Sequence, residues 1–305
     1  MKLLITGSSG LLGLNIALEA LSAHEVIGVD RAKLKSPPFQ TIQADLLDDD
    51  AVDSVLDAAR PDWLIHCAAL ADLEACEADP GLARRLNAEM PSALAKACHE
   101  RSIRMVQIST DAVFDGMKSG SYTEDDAPVP VSIYARTKVD AEHAVLESNP
   151  EAIVARVNFY GWSLSGRRSL AEFFHHNLTN NKSMSGYIDV IFCPMHAAHL
   201  GQTLLKMLAK GLHGLYHVVG TQPMSKYQFG VEIARRFKLN DSEISPKSIQ
   251  SSSLVARRAH NLYLSVNKLS TDLGEPLPSF SAGLDLFYAQ FKEGFTQKLK
   301  SFTQA

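Results

Sequence analysis

Short runs of aliphatic and β-branched residues alternate with longer amphipathic stretches through the first half of the chain. Lys2–Thr6 and Val26–Val29 read as strands, with a helix over Leu11–Leu21 between them. Residues 40–43 form a short third strand. Asp48, Asp49 and Asp50 then open a helix through Ala59, where carboxylates complement the positive end of the helix dipole. Trp63–His66, Arg104–Ile108 and Ile153–Arg156 are the fourth, fifth and sixth strands. The spacing predicts one long helix from Gly81 to Glu100, bent where Pro91 removes an amide donor, and another over Ile133–Leu146. Strands separated by helices require a parallel sheet covered on both faces, because each crossover takes a dozen or more residues. The expected architecture is α/β, a doubly wound sheet.

The rhythm loosens after residue 157. A Gly-, Ser- and Arg-rich segment spans Gly161–Leu170, helices are expected over Ser169–Asn177, Ala197–Lys210 and Pro223–Phe237, and Leu215–Val219 reads as one more strand. Asp241–Ser253 is polar and predicted to be looped. The expected division is therefore a regular domain over 1–157, rejoined by the chain around 188–219, and a smaller lobe over 158–305.

Composition narrows the function classes. The chain has 305 residues, 46% apolar, with 30 basic against 34 acidic side chains and a net charge of −4. That balance offers no cationic excess for nucleic acid and no basic run for an anionic membrane. Met1–Ile5 resembles the start of a secretory signal, but Thr6–Gly10 ends the apolar run after three residues. The four cysteines (Cys67, Cys76, Cys98, Cys193) are irregularly spaced, which fits reduced thiols and a cytoplasmic protein.

The chemistry concentrates at three places. Gly7, Gly10 and Gly13 lie between the first strand and first helix, in the spacing G-x-x-G-x-x-G, and Asp30 ends the second strand. Missing Cβ atoms permit a tight turn and let backbone amides approach a pyrophosphate at a helix N-terminus, the context of a Rossmann-type dinucleotide site. Asp30 would accept bonds from ribose hydroxyls and repel a 2′-phosphate, favouring NAD; Arg31 next to it leaves NADP open. Tyr134 and Lys138 stand four apart on one helical face. An ammonium about 4 Å from a phenol, at an effective dielectric near 20, favours the phenolate by roughly 4 kcal/mol before desolvation, up to three pKa units. Thr110, at the carboxyl end of strand five, is placed to hold a substrate oxygen. Cys193, His196 and His199 lack the converging partners of a metal site, so no metal is expected. Arg167-Arg168 is a candidate diphosphate clamp, and Arg257-Arg258 a weaker one.

These residues make the sequence resemble an extended short-chain dehydrogenase/reductase, within it the dTDP-4-dehydrorhamnose reductase branch of nucleotide-sugar reductases. The likeness rests on Thr6–Gly13, Asp30, Ala44-Asp45-Leu46, His66–Ala69, Asn87, Ser109–Gly116, Tyr122 with Glu124, Tyr134 with Lys138, Gly214–Gly220 and Ser225–Phe229. It implies that the glycine turn (Gly7, Ser9, Gly10, Leu11, Gly13) holds the pyrophosphate, Asp30 the ribose, Asp45 and Leu46 the adenine, and that Ala68 and Ala69 line the cofactor channel. It further implies that Tyr134 protonates a ketone oxygen as the nicotinamide delivers hydride. Lys138 would bind the nicotinamide ribose and lower the phenol's pKa, and Thr110 would hold the carbonyl. Asp111, Asn158 and Arg167 are the candidate substrate contacts, in a lobe expected to bind a nucleotide sugar. Ala112 stands where the family's dehydratases carry glutamate, which disfavours dehydration. The resemblance also admits a sugar-nucleotide epimerase, a non-catalytic regulatory subunit like the β-subunit of methionine adenosyltransferase, and a homodimer formed through two long helices.

Overall fold

The computed structural model describes residues 1–251 and 259–303. The first half comprises β1 (Lys2–Thr6), α1 (Leu11–Ala20), β2 (Glu25–Asp30), β3 (Gln40–Gln43), α2 (Ala51–Ala59), β4 (Trp63–His66), α3 (Leu73–Ala78), α4 (Pro80–Arg84), α5 (Met90–Glu100), β5 (Arg104–Thr110), α6 (Ile133–Ser148) and β6 (Ile153–Val157). Beyond it follow β7 (Phe159–Tyr160), α7 (Leu170–Thr179), β8 (Met184–Tyr187), β9 (Ile191–Phe192), β10 (Met195–His196), α8 (Ala197–Lys210), β11 (Gly214–Val218), β12 (Met224–Ser225), α9 (Lys226–Phe237), β13 (Ile244–Lys247), α10 (Asn267–Leu273), α11 (Phe280–Lys292) and α12 (Phe295–Ser301).

The main sheet is seven-stranded in the order β11-β6-β5-β4-β1-β2-β3, and every pairing in it is parallel. The chain winds outward from β1 in both directions, so the crevice at the carboxyl ends of β1 and β4 is the switch point where ligands bind in such sheets. Strand periodicity divides the core in two. Leu3 and Ile5 of β1 join the cluster beneath α1 and α8, whereas Leu4 joins the one beneath α2 and α5. With both faces covered, the strands carry near-continuous apolar runs, as β4 does through Trp63, Leu64 and Ile65.

Four readings of the sequence are corrected. The single helix expected over Gly81–Glu100 is interrupted by a π-helical turn at Arg85–Glu89, ahead of Pro91, which sits in the first turn of α5. A wider turn there relieves the clash a proline ring makes with the carbonyl four residues back, and it aims Asn87 inward. The helix expected from Pro223 starts at Lys226, set by a capping box between Ser225 and Gln228. The polar segment from Asp241 contains β13, an edge strand paired in parallel with β8; residues 252 and 253 lie outside the described residues. Finally, α3 and the helices α10–α12 have no counterpart in the sequence reading. Among the described residues no helix is long and apolar enough to cross a membrane.

Candidate active site

The glycine turn is shaped by close approach. Gly7 adopts φ +67°, and a Cβ there would lie 2.8 Å from the Ala68 amide nitrogen; a Cβ on Gly13 would lie 2.3 Å from the Gly7 carbonyl oxygen. Helix α1 therefore starts flush against β1 and β4, with Gly10 as its N-cap and no side chain covering its first amides. In front of it lies a cleft of about 600 Å³, lined by Gly7, Ser9, Gly10, Leu11, Gly13, Asp30, Arg31, Asp45, Leu46, Ala68 and Ala69 among others. The glycine-turn, ribose and adenine residues singled out for a dinucleotide thus border one cavity, whereas Tyr134 borders a second one and Lys138 borders neither. A cradle that a Cβ would fill, at an uncapped helix N-terminus, fits a pyrophosphate.

The ribose end differs from the simple expectation. One oxygen of the Asp30 carboxylate accepts from the Ser9 amide (2.9 Å) and hydroxyl (2.8 Å), and the other from the Ala32 amide (3.2 Å). Arg31 lies 3.8 Å from Asp45. Beside this point an annex of about 560 Å³ is lined by Ser9, Arg31, Lys33, Gln43, Ser163 and Arg168, among others. Arg168, not Arg167, faces both the cleft and the annex; Arg167 is exposed and borders neither cavity.

A second cavity, about 270 Å³, is lined by Thr110, Asp111, Tyr134, Asn158, Phe192 and Lys226, among others. Ser132 caps α6 by accepting from the Ala135 amide, which sets Tyr134 in its first turn. Asn87, aimed inward by the π turn, bonds both the backbone of Leu70 and the Thr137 hydroxyl. It thereby ties the loop after β4 to the helix bearing Tyr134. Thr110 and Tyr134 face the same cavity, and Thr110 Oγ1 donates to Asp111 Oδ1 at 3.2 Å. Asn158 Nδ2 donates to Asp111 Oδ2 at 2.6 Å.

Burial dominates the electrostatics of the pair. The Lys138 ammonium donates to the Ile108 carbonyl at 2.6 Å. Burial first of all raises the Tyr134 phenol above its ordinary range; the Thr110 hydroxyl opposes this, and Asp111 and Cys76 add to it. Burial also brings Lys138 down to about 8, with Glu142 and Cys67 acting the other way. The same desolvation raises Asp111 to about 6 against its bonds from Asn158 and Thr110.

Sequence reasoning missed two features. Lys226 opens α9 at the cavity wall, where the Ser225-x-x-Gln228 capping box could have placed it. Behind the cavity lies a buried chain: Arg156 donates through Nε and Nη2 to Glu142 (2.9 and 2.7 Å), and Ser109 Oγ donates to Glu142 at 2.5 Å. Arg156 Nη1 donates to His217 Nε2 at 3.4 Å, which leaves the ring proton on Nδ1, facing the Ser265 carbonyl. The thiol–imidazole run does not converge. His196 Nδ1 accepts from the Ala198 amide as the cap of α8, and Cys193 packs in a different cluster. Among the described residues no group of three His, Cys, Asp or Glu side chains could hold a metal. Arg257 and Arg258 lie outside the described residues.

A dinucleotide-type sheet whose switch-point cleft adjoins a tyrosine and lysine one helical turn apart defines the extended short-chain dehydrogenase/reductase class. The chain belongs to the family described as RmlD substrate binding domain, matched over residues 1–293. It is 29% identical to the probable low-salt glycan biosynthesis reductase Agl14 of Haloferax volcanii, covering 96% of this chain and 99% of that one. It is 32% identical to methionine adenosyltransferase 2 subunit beta of Mus musculus, covering 93% and 86%. Among solved structures, a dTDP-4-dehydrorhamnose reductase of Clostridium acetobutylicum superposes with TM-score 0.86 at 27% identity, covering 96% and 100%. The dTDP-4-dehydrorhamnose reductase of Bacillus anthracis in complex with NADP gives 0.84 at 25%, covering 94% and 98%.

Proposed function

We propose that this chain is a nicotinamide-dependent reductase that converts the ketone of a nucleotide-linked 4-keto-6-deoxy sugar to an alcohol. The observation that carries it is the cavity shared by Thr110, Tyr134 and Asp111, adjoining the glycine-turn cleft at the carboxyl edge of the sheet. The sheet half would bind the dinucleotide and the later lobe the sugar. Gly7, Ser9, Gly10, Leu11 and Gly13 would hold the pyrophosphate, Asp45 and Leu46 the adenine, and Ala68 and Ala69 the channel wall. A bound nicotinamide would supply hydride to the carbonyl carbon. Thr110 orients the carbonyl oxygen, and Tyr134 gives it a proton; burial keeps the phenol in the protonated form an acid needs at neutral pH. Lys138, still cationic at neutral pH, stands behind as the partner of the nicotinamide ribose.

In this reading the cofactor is NADP rather than the NAD that Asp30 alone suggests. Three protein donors already occupy the Asp30 carboxylate, and Arg31, Lys33 and Arg168 line the annex beside it, suited to a 2′-phosphate. NADPH should bind more tightly than NADH by fluorescence titration, and R31A with R168A should erase the difference; equal affinity in the wild type refutes the assignment.

The test of the activity is oxidation of the reduced cofactor with a panel of dTDP-4-keto-6-deoxy sugars, with Tyr134→Phe losing about 100-fold or more in kcat. A second reading, a cofactor-binding regulatory subunit, is favoured by the likeness to methionine adenosyltransferase 2 subunit beta. It predicts no turnover with any ketosugar, and stoichiometric co-purification with a partner enzyme that Y134F leaves intact.

A further inference from the structure

Resting on the NADP reading, we infer that Glu172 is a positioning residue for the cofactor's 2′-phosphate. It closes residues 163–169 into a fixed loop and thereby sets Arg168 against that group. Glu172 is wholly buried, and its hydrogen-bond partners among the described residues are all uncharged donors. Oε1 accepts from the Ser163 amide at 2.6 Å and the Ser163 hydroxyl at 3.0 Å. Oε2 accepts from the same hydroxyl at 2.9 Å, the Arg168 amide at 2.8 Å and the Ser169 amide at 3.0 Å. A buried carboxylate is costly unless its oxygens are fully hydrogen-bonded, so the groups that serve it are held in place.

Helix capping accounts for one of these contacts only. In a capping box the acid or amide three residues into the helix accepts from the N-cap amide, as Gln228 does from Ser225 at 2.8 Å in front of α9. In front of α7 the same place is filled by an acid that also takes Ser163 and Arg168, at the two ends of the loop. A glutamine there would have to aim its NH2 group at amides that donate as well. The loop turns at Gly166, at φ +68°, whose amide donates to the Ser163 hydroxyl at 3.1 Å. Its base is tied to the helix behind the glycine turn: Asn15 of α1 donates to the Trp162 carbonyl at 2.9 Å, and Ser169 Oγ to the Gly161 carbonyl at 2.8 Å. The base is therefore buried and the rim exposed. Arg168 stands on the rim, where the glycine-turn cleft and the annex meet. Arg31 and Lys33 reach the annex from the segment after β2, and Arg168 from the loop before α7. A phosphate held from both segments would receive charge-assisted bonds from each. Glu172 itself lines neither cavity, so it acts through Arg168 and not on the ligand.

The experiment titrates the full chain by calorimetry with adenosine 2′,5′-bisphosphate and with 5′-AMP, two ligands that differ only in the 2′-phosphate and need no turnover. Wild type should prefer the bisphosphate. Arg168→Ala and Glu172→Gln should each lower that preference by about 10-fold or more, while affinity for 5′-AMP stays within about 2-fold. In E172Q/R168A the preference should match that of R168A, because a residue acting through another adds nothing once the other is gone. Glu172→Asp, which keeps the charge with a shorter reach, should show the same loss in smaller measure, and it replaces E172Q if thermal unfolding shows that variant unfolded. A wild-type preference in a folded Glu172 variant, an equal loss for both ligands, or losses that add in the double variant overturn the inference. A wild-type chain that does not prefer the bisphosphate defeats the NADP reading, and this inference with it, before any substitution is made, so the two failures are distinct.

Discussion

Glu142→Gln tests the clamp that holds the Tyr134 helix against the sheet. Glu142 lies one turn beyond Lys138 on α6, and Arg156 on β6 grips it through two nitrogens, while Ser109 reaches it from the residue before Thr110. Both charged side chains are nearly water-free, at 2% and 3% exposure. Gln supplies one acceptor oxygen where the carboxylate supplies two. One charge-assisted bond is lost, worth about 1.5–3 kcal/mol. The guanidinium, stacked 4.9 Å over the Phe114 ring, is then left without a counter-charge. Breaking one side of such a pair costs about 3–5 kcal/mol in all, a large share of the roughly 5–15 kcal/mol that holds a domain folded. Equilibrium urea unfolding should show the loss as a lower midpoint, and added salt should barely change it because the pair is shielded from ions. The double variant E142L/R156M should be more stable than E142Q, since it removes the stranded charge along with its partner. A cost for E142Q below about 1 kcal/mol, or additive losses in the double variant, refutes the clamp.

Three other outcomes follow from single features. Gly13→Ala forces a Cβ to 2.3 Å from the Gly7 carbonyl, so it should lower the melting temperature and abolish the thermal shift given by NADPH; a retained shift refutes the tight turn. His66, His196 and His217 are each depressed to about 3, chiefly by burial. Unfolded histidines take up protons below about 6.5 while the folded ones stay neutral, so stability present above 6.5 is lost as pH falls, at up to roughly 1.4 kcal/mol per unit for each. Asp111 acts in the opposite sense between 4 and 6 but is one group against three, so urea midpoints should still fall from pH 6.5 to 5; a flat profile refutes it. Ser225→Ala removes the cap of α9 and should cost about 1 kcal/mol by urea unfolding, and an unchanged midpoint refutes the cap.

What was legible in the sequence was local. The strands announce themselves by β-branched runs, the glycine turn by its position between strand and helix, and Tyr134 with Lys138 by a spacing of one turn. The elements that escaped have weak local signals and exist because of their partners. In β13 only Ile244 is buried, followed by the exposed Ser245, Pro246 and Lys247, so no alternation marks it; pairing with β8 makes it a strand. Helix α3 is a six-residue piece between the Asp72 cap and Pro80, too short to show a period. The π turn conserves the helical pattern around Asn87 while shifting its phase, which a count of apolar positions cannot detect.

The site divides along the same line, and there the missing information changes the chemistry. The residue types at Thr110, Tyr134 and Lys138 could be read, but their ionisation logic could not, because it depends on which neighbours burial leaves in reach. From spacing alone Lys138 should push the phenol toward its anion. In the folded chain a carbonyl thirty residues away holds that ammonium, and the groups that act on Tyr134 are Thr110, Asp111 and Cys76, brought in from other elements. Asn158 and Asp111 are forty-seven positions apart, and Glu142 and Arg156 sit on different elements with no shared period. Burial raises the phenol of Tyr134 and the carboxyl of Asp111 alike, and burial is a property of the assembled fold that residue spacing does not carry.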